Sequence, residues 1–277
     1  MIRLVRLPRL AATAVIIAIG IFNLYQAVIG WTLSDAGAYW EAAIRLRAGE
    51  ELYPPLASVD ASEVYRYAPW FAVAAVPWTF LPQWLAGALW SVVLLGASAL
   101  ALWPLVRARL WLLVALFGPI LVGISAVGNA HPLVVAGLVL GVERRSGPLW
   151  VAAAGSLKIF PLLFALVYIG RRQWWRLLAA VVLTAVLWAP ALLFDLSEYA
   201  VQAGQAAALY QFPVAYFLVV GLAISVTLAL SATRWGWGAA ATTVVLSLPR
   251  LFVYDVTYLM VGTTAGQRPA GATRRKD

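Results

Sequence analysis

Cysteine is absent from the 277 residues, which excludes disulfides and thiolate metal sites. The single histidine, His131, cannot build a multi-histidine metal centre. Charge is scarce too: charged residues are 11% of the chain, against roughly 25% in a soluble domain. Hydrophobic residues make up 64% and the mean hydropathy is +0.87. That balance excludes a soluble globule and a disordered chain. It leaves an all-α, polytopic integral membrane protein. At about 20 residues per span, the length allows seven to nine membrane helices, short or re-entrant ones included, and no second, soluble domain. Lysine is nearly missing as well, 2 against 18 arginines, a bias that points to a GC-rich bacterial genome. The net charge of +9 fits arginines gathered at a membrane face and is not read as nucleic-acid binding.

The apolar runs divide a single membrane domain, residues 1–277. Arg3, Arg6 and Arg9 precede an apolar run over Leu10–Ile29 that is too long for a signal-peptide core. It reads as a first span, within residues 1–30, with the N-terminus in the cytoplasm. Residues 31–82 form an extracytoplasmic loop with interfacial helices. This stretch holds six of the eleven acids. In it, Ser34 is placed to cap a short helix and Gly49 to end it, and Ala68–Leu81 is too short to span. Residues 84–262 form a helical bundle, with spans expected at Trp84–Val106, Leu110–Val127, Trp175–Phe194 and Pro213–Ser231. Two basic segments broken by proline, around Lys158–Pro161 and Pro249–Arg250, are read as re-entrant. Residues 263–277 are a basic tail. With this topology fifteen of the twenty basic residues fall inside and eight of the eleven acids outside. Only Lys158, Arg250 and Asp255 stay within the membrane. No internal repeat is evident. The acidic first loop, the Gly128–His131 turn and the Asp195–Phe212 loop converge on the outer side.

Intramembrane charge is costly, so each such residue is a functional candidate. Lys158 sits mid-segment, about 15 Å from either end at 1.5 Å per residue. It calls for an anion, a carbonyl or a watery cavity. A ligand phosphate and an internal pair with Asp255 serve equally well, and Arg250 repeats the pattern. Asp35 follows the first span, where a carboxylate can deprotonate an incoming hydroxyl or simply favour a helix N-terminus. Tyr39 shares its helix face. Tyr53-Pro54-Pro55 and the stretch Tyr65-Arg66-Tyr67-Ala68-Pro69 are stiff and aromatic, suited to a sugar ring or to interface anchoring. His131 opens a helix and can exchange hydrogen bonds there.

Taken in order, these motifs resemble the polyprenol-phosphate-mannose-dependent mannosyltransferases of glycosyltransferase family 87, the DUF2029 group with a GT-C fold. The resembling elements are Asp35-x3-Tyr39 after the first span, Gly49-Glu50-Glu51-Leu52-Tyr53, and Tyr67-Ala68-Pro69 with Pro77 and Leu81-Pro82. They continue with Gly128-Asn129-Ala130-His131-Pro132, where the family usually shows G-Q-x-N, with Leu157-Lys158-Ile159-Phe160-Pro161, and with Ser247-Leu248-Pro249 followed by Tyr254-Asp255. The resemblance implies a GT-C-like fold and an inverting transfer of a sugar, mannose in that family, from a polyprenyl-phosphate donor. The acceptor is a hydroxyl on a glycan or glycolipid, on the extracytoplasmic side of the cell membrane. It implies Asp35 as catalytic base. Lys158, Arg66 or Arg250 would neutralise the donor phosphate, and Tyr39, Tyr65, Tyr67, Asn129 and His131 would line the substrate site. No cofactor is required by the sequence, no metal ligand set is assigned, and membrane lipids are the other expected partners. Two alternatives are a membrane transporter or lipid flippase, since Pro-broken helices with buried charges are also transporter features, and an inactive relative acting as an assembly partner.

Overall fold

The computed structural model describes residues 2–29, 33–55, 64–199 and 209–265. The basic tail from residue 266 on, the acids Asp60 and Glu63 and the middle of the second polar loop lie outside the described residues. The described residues form helices α1 (Ile2–Val28), α2 (Ser34–Ala48), α3 (Pro69–Ala75), α4 (Gln83–Arg107), α5 (Trp111–Ile124), α6 (His131–Gly141), α7 (Gly147–Leu157), α8 (Leu166–Gly170), α9 (Trp174–Trp188), α10 (Pro213–Leu230), α11 (Gly236–Ser247) and α12 (Leu259–Ala265). No strand occurs among them. Four helical stretches are long and apolar enough to cross a membrane: Arg9–Val28, Gln83–Arg107, Trp174–Leu193 and Pro213–Leu230. The chain is thus an all-helical one of membrane-protein type. The run expected to span at Leu110–Val127 is a shorter apolar helix, Trp111–Val127, whose end tightens into the 3-10 turn Ser125–Val127.

The chain divides into two compact units, one of Met1–Ala136 with Thr184–Gly204 and one of Gly137–Leu183 with Gln205–Asp277. The first unit carries eight basic and eight acidic residues and the second twelve and three, so the whole net charge of +9 resides in the second.

In the first unit α1 packs on α4 and α5. Asn23, five residues from the end of α1 and 1% exposed, donates to the Val122 carbonyl at 2.5 Å. That carbonyl lies where α5 passes into its 3-10 turn and helical pairing loosens. In lipid an amide without such a partner costs several kcal/mol, so the contact fixes which face of α1 meets α5. Helix α2 starts one residue earlier than its sequence signals: Leu33 is the extended residue before it and Ser34 makes no capping bond, being already helical. Gly49 ends it in the left-handed conformation, φ 73°, as expected. Pro69 opens α3 at a position that needs no N–H donor. Pro77 then turns the chain into the 3-10 segment Val76–Phe80. This short broken piece packs on α2.

In the second unit the two basic, Pro-containing segments are broken helices. Pro161 has no N–H for the Leu157 carbonyl and its ring would strike it. Helix α7 therefore ends at Leu157, Lys158 is extended at φ −141°, ψ 117°, and a 3-10 segment, Phe160–Ala165, leads into α8. Pro249 acts alike. Leu248 before it takes the extended form that proline imposes on its predecessor, and the 3-10 segment Val253–Tyr258 leads into α12. The two segments share one order of helix, break, 3-10 turn and helix. Both also read Ser-Leu, then a basic residue, then phenylalanine: Ser156-Leu157-Lys158-Ile159-Phe160 and Ser247-Leu248-Pro249-Arg250-Leu251-Phe252.

One end of this unit is tied by side chains. Trp237, fully buried, donates its Nε1–H to Glu143 at 2.8 Å. Arg171 lies 3.7 Å from the same carboxylate and donates to the Ser231 carbonyl at 2.7 Å. Arg176 donates to the Val142 carbonyl at 3.2 Å and also to that of Arg144. The turns after α6, α8 and α10 are thereby held together.

Candidate functional site

The first unit gathers most of the residues singled out from the sequence. Asp35 lies in the first turn of α2, where the helix dipole favours a carboxylate, and is half-buried. Its Oδ2 accepts a hydrogen bond from the Asn129 side-chain amide at 2.5 Å. Asn129 is 94 residues away in sequence and itself buried. Its own Oδ1 accepts the His131 backbone N–H at 2.8 Å. One turn along α2 from Asp35, Tyr39 accepts the Ala130 N–H at 3.2 Å and donates to the Tyr67 hydroxyl at 3.0 Å. The turn before α6 is thus held from α2 at two points, the Ala130 N–H by Tyr39 and the Asn129 side-chain amide by Asp35. From α4, Trp90 donates its Nε1–H to the Gly128 carbonyl at 2.8 Å.

Gly128 makes this close approach feasible. Its φ is +75°, and a Cβ there would sit 2.5 Å from the Ala36 Cβ and 3.0 Å from the Ala36 nitrogen. Only glycine accepts both the left-handed backbone and the contact.

Around this polar group lies an aromatic cluster. Tyr39 meets Tyr67, Phe71 and Trp90 edge-on, with ring centroids 5.1, 4.9 and 6.1 Å away. Tyr65 and Tyr53 form its interior. The Tyr65 hydroxyl donates to the Ala68 carbonyl at 2.7 Å and that of Tyr53 to the Tyr67 carbonyl at 2.8 Å. Tyr199 donates to the Arg66 carbonyl at 3.2 Å and meets Tyr53 edge-on at 5.2 Å. Burial pushes the Tyr39 hydroxyl well above its ordinary range, with the neighbouring Tyr67 and Asp35 adding to it. Burial does the same for Tyr53, Tyr65 and Tyr199. All four stay neutral at physiological pH and offer hydroxyls rather than phenolates.

The structure therefore brings together Asp35, Tyr39, Tyr67 and Asn129. Tyr65 sits within the aromatic cluster, with its hydroxyl engaged by the backbone. His131 is fully buried at the first residue of α6. Arg66 is half-buried in the same unit, and its Nη1 donates to the Val64 carbonyl at 3.4 Å.

Lys158 and Arg250 belong to the second unit. Lys158 Nζ lies 3.8 Å from Asp255 Oδ1 and 4.5 Å above the Tyr254 ring. The internal ion pair is thus the partner the structure provides for it. Asp255 also accepts the Phe252 N–H at 2.9 Å and returns its own N–H to the Phe252 carbonyl at 3.0 Å. The Phe252 and Tyr254 rings stack at 5.1 Å, and Arg250 lies 4.5 Å over Phe252. Two cations thus bracket a stacked aromatic pair beside one carboxylate.

Trp90 carried no signal in sequence. Gly128 was legible as the start of the turn before α6, but nothing local pairs Asn129 with Asp35. Among the described residues no group of three or more His, Asp or Glu side chains is disposed to hold a metal ion. No family model, no curated protein and no solved structure matches the chain.

Proposed function

We propose that the protein is a membrane glycosyltransferase with a GT-C-like architecture. It transfers a sugar, mannose by the resemblance of its motifs, from a polyprenyl-phosphate donor to an acceptor hydroxyl on the extracytoplasmic side. The observation that carries this reading is the Asp35 carboxylate held by the Asn129 amide at 2.5 Å, beside the Tyr39 and Tyr67 hydroxyls in a cluster of aromatic faces. In the proposed step the acceptor oxygen attacks the anomeric carbon as Asp35 takes its proton. The bond from that carbon to the phosphate oxygen breaks, its electron pair leaves with the lipid phosphate, and the anomeric configuration inverts. Arg66, in the same unit as Asp35, is the candidate to neutralise the leaving phosphate. A lipid donor arrives through the bilayer, so no nucleotide-binding loop is needed.

The test is transfer of labelled mannose from polyprenyl phosphate by the wild type and by Asp35→Asn. Loss of a positioned base costs about 10²–10⁴-fold, and equal rates in the two proteins would overturn the role of Asp35. A second reading, a transporter or lipid flippase, is favoured by the two corresponding broken helices of the second unit and the Lys158–Asp255 pair at their breaks. It predicts movement of a labelled lipid phosphate across vesicle bilayers that Asp35→Asn leaves unchanged and Asp255→Asn abolishes.

A further inference from the structure

Between α10 and α11 runs an apolar groove of about 420 Å³, within the range of roughly 300–1,000 Å³ found for ligand clefts. It extends from Val219 to Leu230 on α10 and from Trp235 to Leu246 on α11. Each stretch rises about 16 Å at 1.5 Å per residue. That is about half of a bilayer's hydrocarbon core of roughly 30 Å, the depth of one leaflet. Ala223 and Ala239 are the small residues of its wall. Thr242 and Thr243 in its wall donate to the Gly238 and Ala239 carbonyls of their own helix, each at 3.0 Å. The Thr243 hydroxyl also pairs with that of Thr227 on α10 at 2.8 Å, so the two helices meet there and the groove runs along their seam, with the Thr242 methyl in its wall.

The mouth of the groove is different in chemistry. Trp235, 60% exposed, closes the groove at the turn between the two helices, where an indole suits the headgroup level. The Arg234 guanidinium, on an exposed residue, lies 4.7 Å over the Trp235 ring. The same turn is anchored through Ser231 to Arg171. The acid in this neighbourhood, Glu143, is already engaged by Trp237 and Arg171. An apolar channel one leaflet deep, topped by a guanidinium in a unit of net positive charge, matches a single acyl chain under a phosphate.

We propose that this groove is a binding site for an anionic glycerophospholipid, with one acyl chain between α10 and α11 and its phosphate on Arg234. A polyprenyl phosphate fits less well, because its branched chain is far longer than the groove. The site stands independently of the proposed transferase reading.

The test is native mass spectrometry of the full chain, titrated with phosphatidylglycerol or phosphatidylcholine of identical acyl chains. The wild type should retain phosphatidylglycerol preferentially. Arg234→Gln should lower that preference about tenfold, the loss of one charge-assisted contact, while leaving the shared acyl-chain binding. Ala223→Leu with Ala239→Leu, which fills the groove, should release both lipids. Equal retention of the two lipids by the wild type overturns the proposal, and so does undiminished preference in Arg234→Gln. Displacement of phosphatidylglycerol by equimolar polyprenyl phosphate overturns the assigned occupant, and displacement by inorganic phosphate overturns the role of the chain. Arg234 is exposed, so its variant reports on the site even if the groove-filling pair does not fold.

Discussion

The Asn129 side chain cannot be turned round. Its oxygen is occupied by the His131 N–H, so its nitrogen must face Asp35, and the pairing that orients the amide also orients the carboxylate. Asn129→Asp keeps the acceptor for His131 but sets a second carboxylate against Asp35. Like charges at that range disfavour ionisation, so the pair holds a proton to higher pH. The variant should lose transfer activity at neutral pH by about 10²-fold and regain part of it on the alkaline side. A pH–rate profile decides this, and an unshifted acidic limb would show that Asn129 does not position the base. Gly128→Ala should cost about 1–3 kcal/mol, read as a lower melting temperature in detergent, because the new methyl meets the first turn of α2 at Ala36.

At the scale of elements, the breaks in α7 and α11 matter more than the spans. Each exposes backbone that an unbroken helix would pair internally, and each places a charged residue where the pairing fails. Asp255 is nearly buried and Lys158 is 19% exposed. Removing one partner of such a pair strands the other. Asp255→Asn retains an acceptor for the Phe252 N–H, so it isolates the charge. It should destabilise by about 1–3 kcal/mol, and adding Lys158→Met should restore part of that loss. A double-mutant cycle in thermal melts checks this, and strictly additive losses would rule out the coupling.

The breaks were legible in the sequence because proline acts on its own neighbours. So were the Gly49 terminus and four of the five expected spans, all but Leu110–Val127, set within a few residues. The start of α2 was misplaced because Ser34 is a good cap by type, whereas the conformation of Leu33 decides where the helix begins. At the site, Asp35 and Tyr39 were readable as one helix face. The bond from Asp35 to Asn129 was not, since it joins positions 94 apart through packing that no local pattern encodes. Nor could the sequence tell that Tyr65 and His131 would be buried.

For the whole molecule, net charge is divided unequally between the units. The first unit is neutral in net charge yet holds Tyr39, Tyr53, Tyr65 and Tyr199, all raised by burial. A tyrosine raised in the folded state leaves stability intact below the unfolded value near 10. Above it the unfolded chain releases the proton that the folded chain keeps, so stability falls as pH rises towards the folded value. Each such tyrosine contributes about 1.4 kcal/mol per pH unit in that window. The melting temperature in detergent should therefore be flat from pH 7 to about 9.5 and fall steeply above it. Tyr65→Phe should blunt the fall. An absorbance titration in which all eleven tyrosines ionise together near 10 would contradict this.

Asn23 also bears on how the chain is made. Its acceptor on α5 lies 99 residues downstream, and at about 5–20 residues per second the ribosome takes about 5–20 s to supply it. Over that interval the first helix is in lipid with an amide whose partner has not yet been synthesised. Biogenesis then has an enforced order: insertion of α1 precedes its recognition of α5, and a polar signal embedded in an apolar segment marks where the later helix must dock.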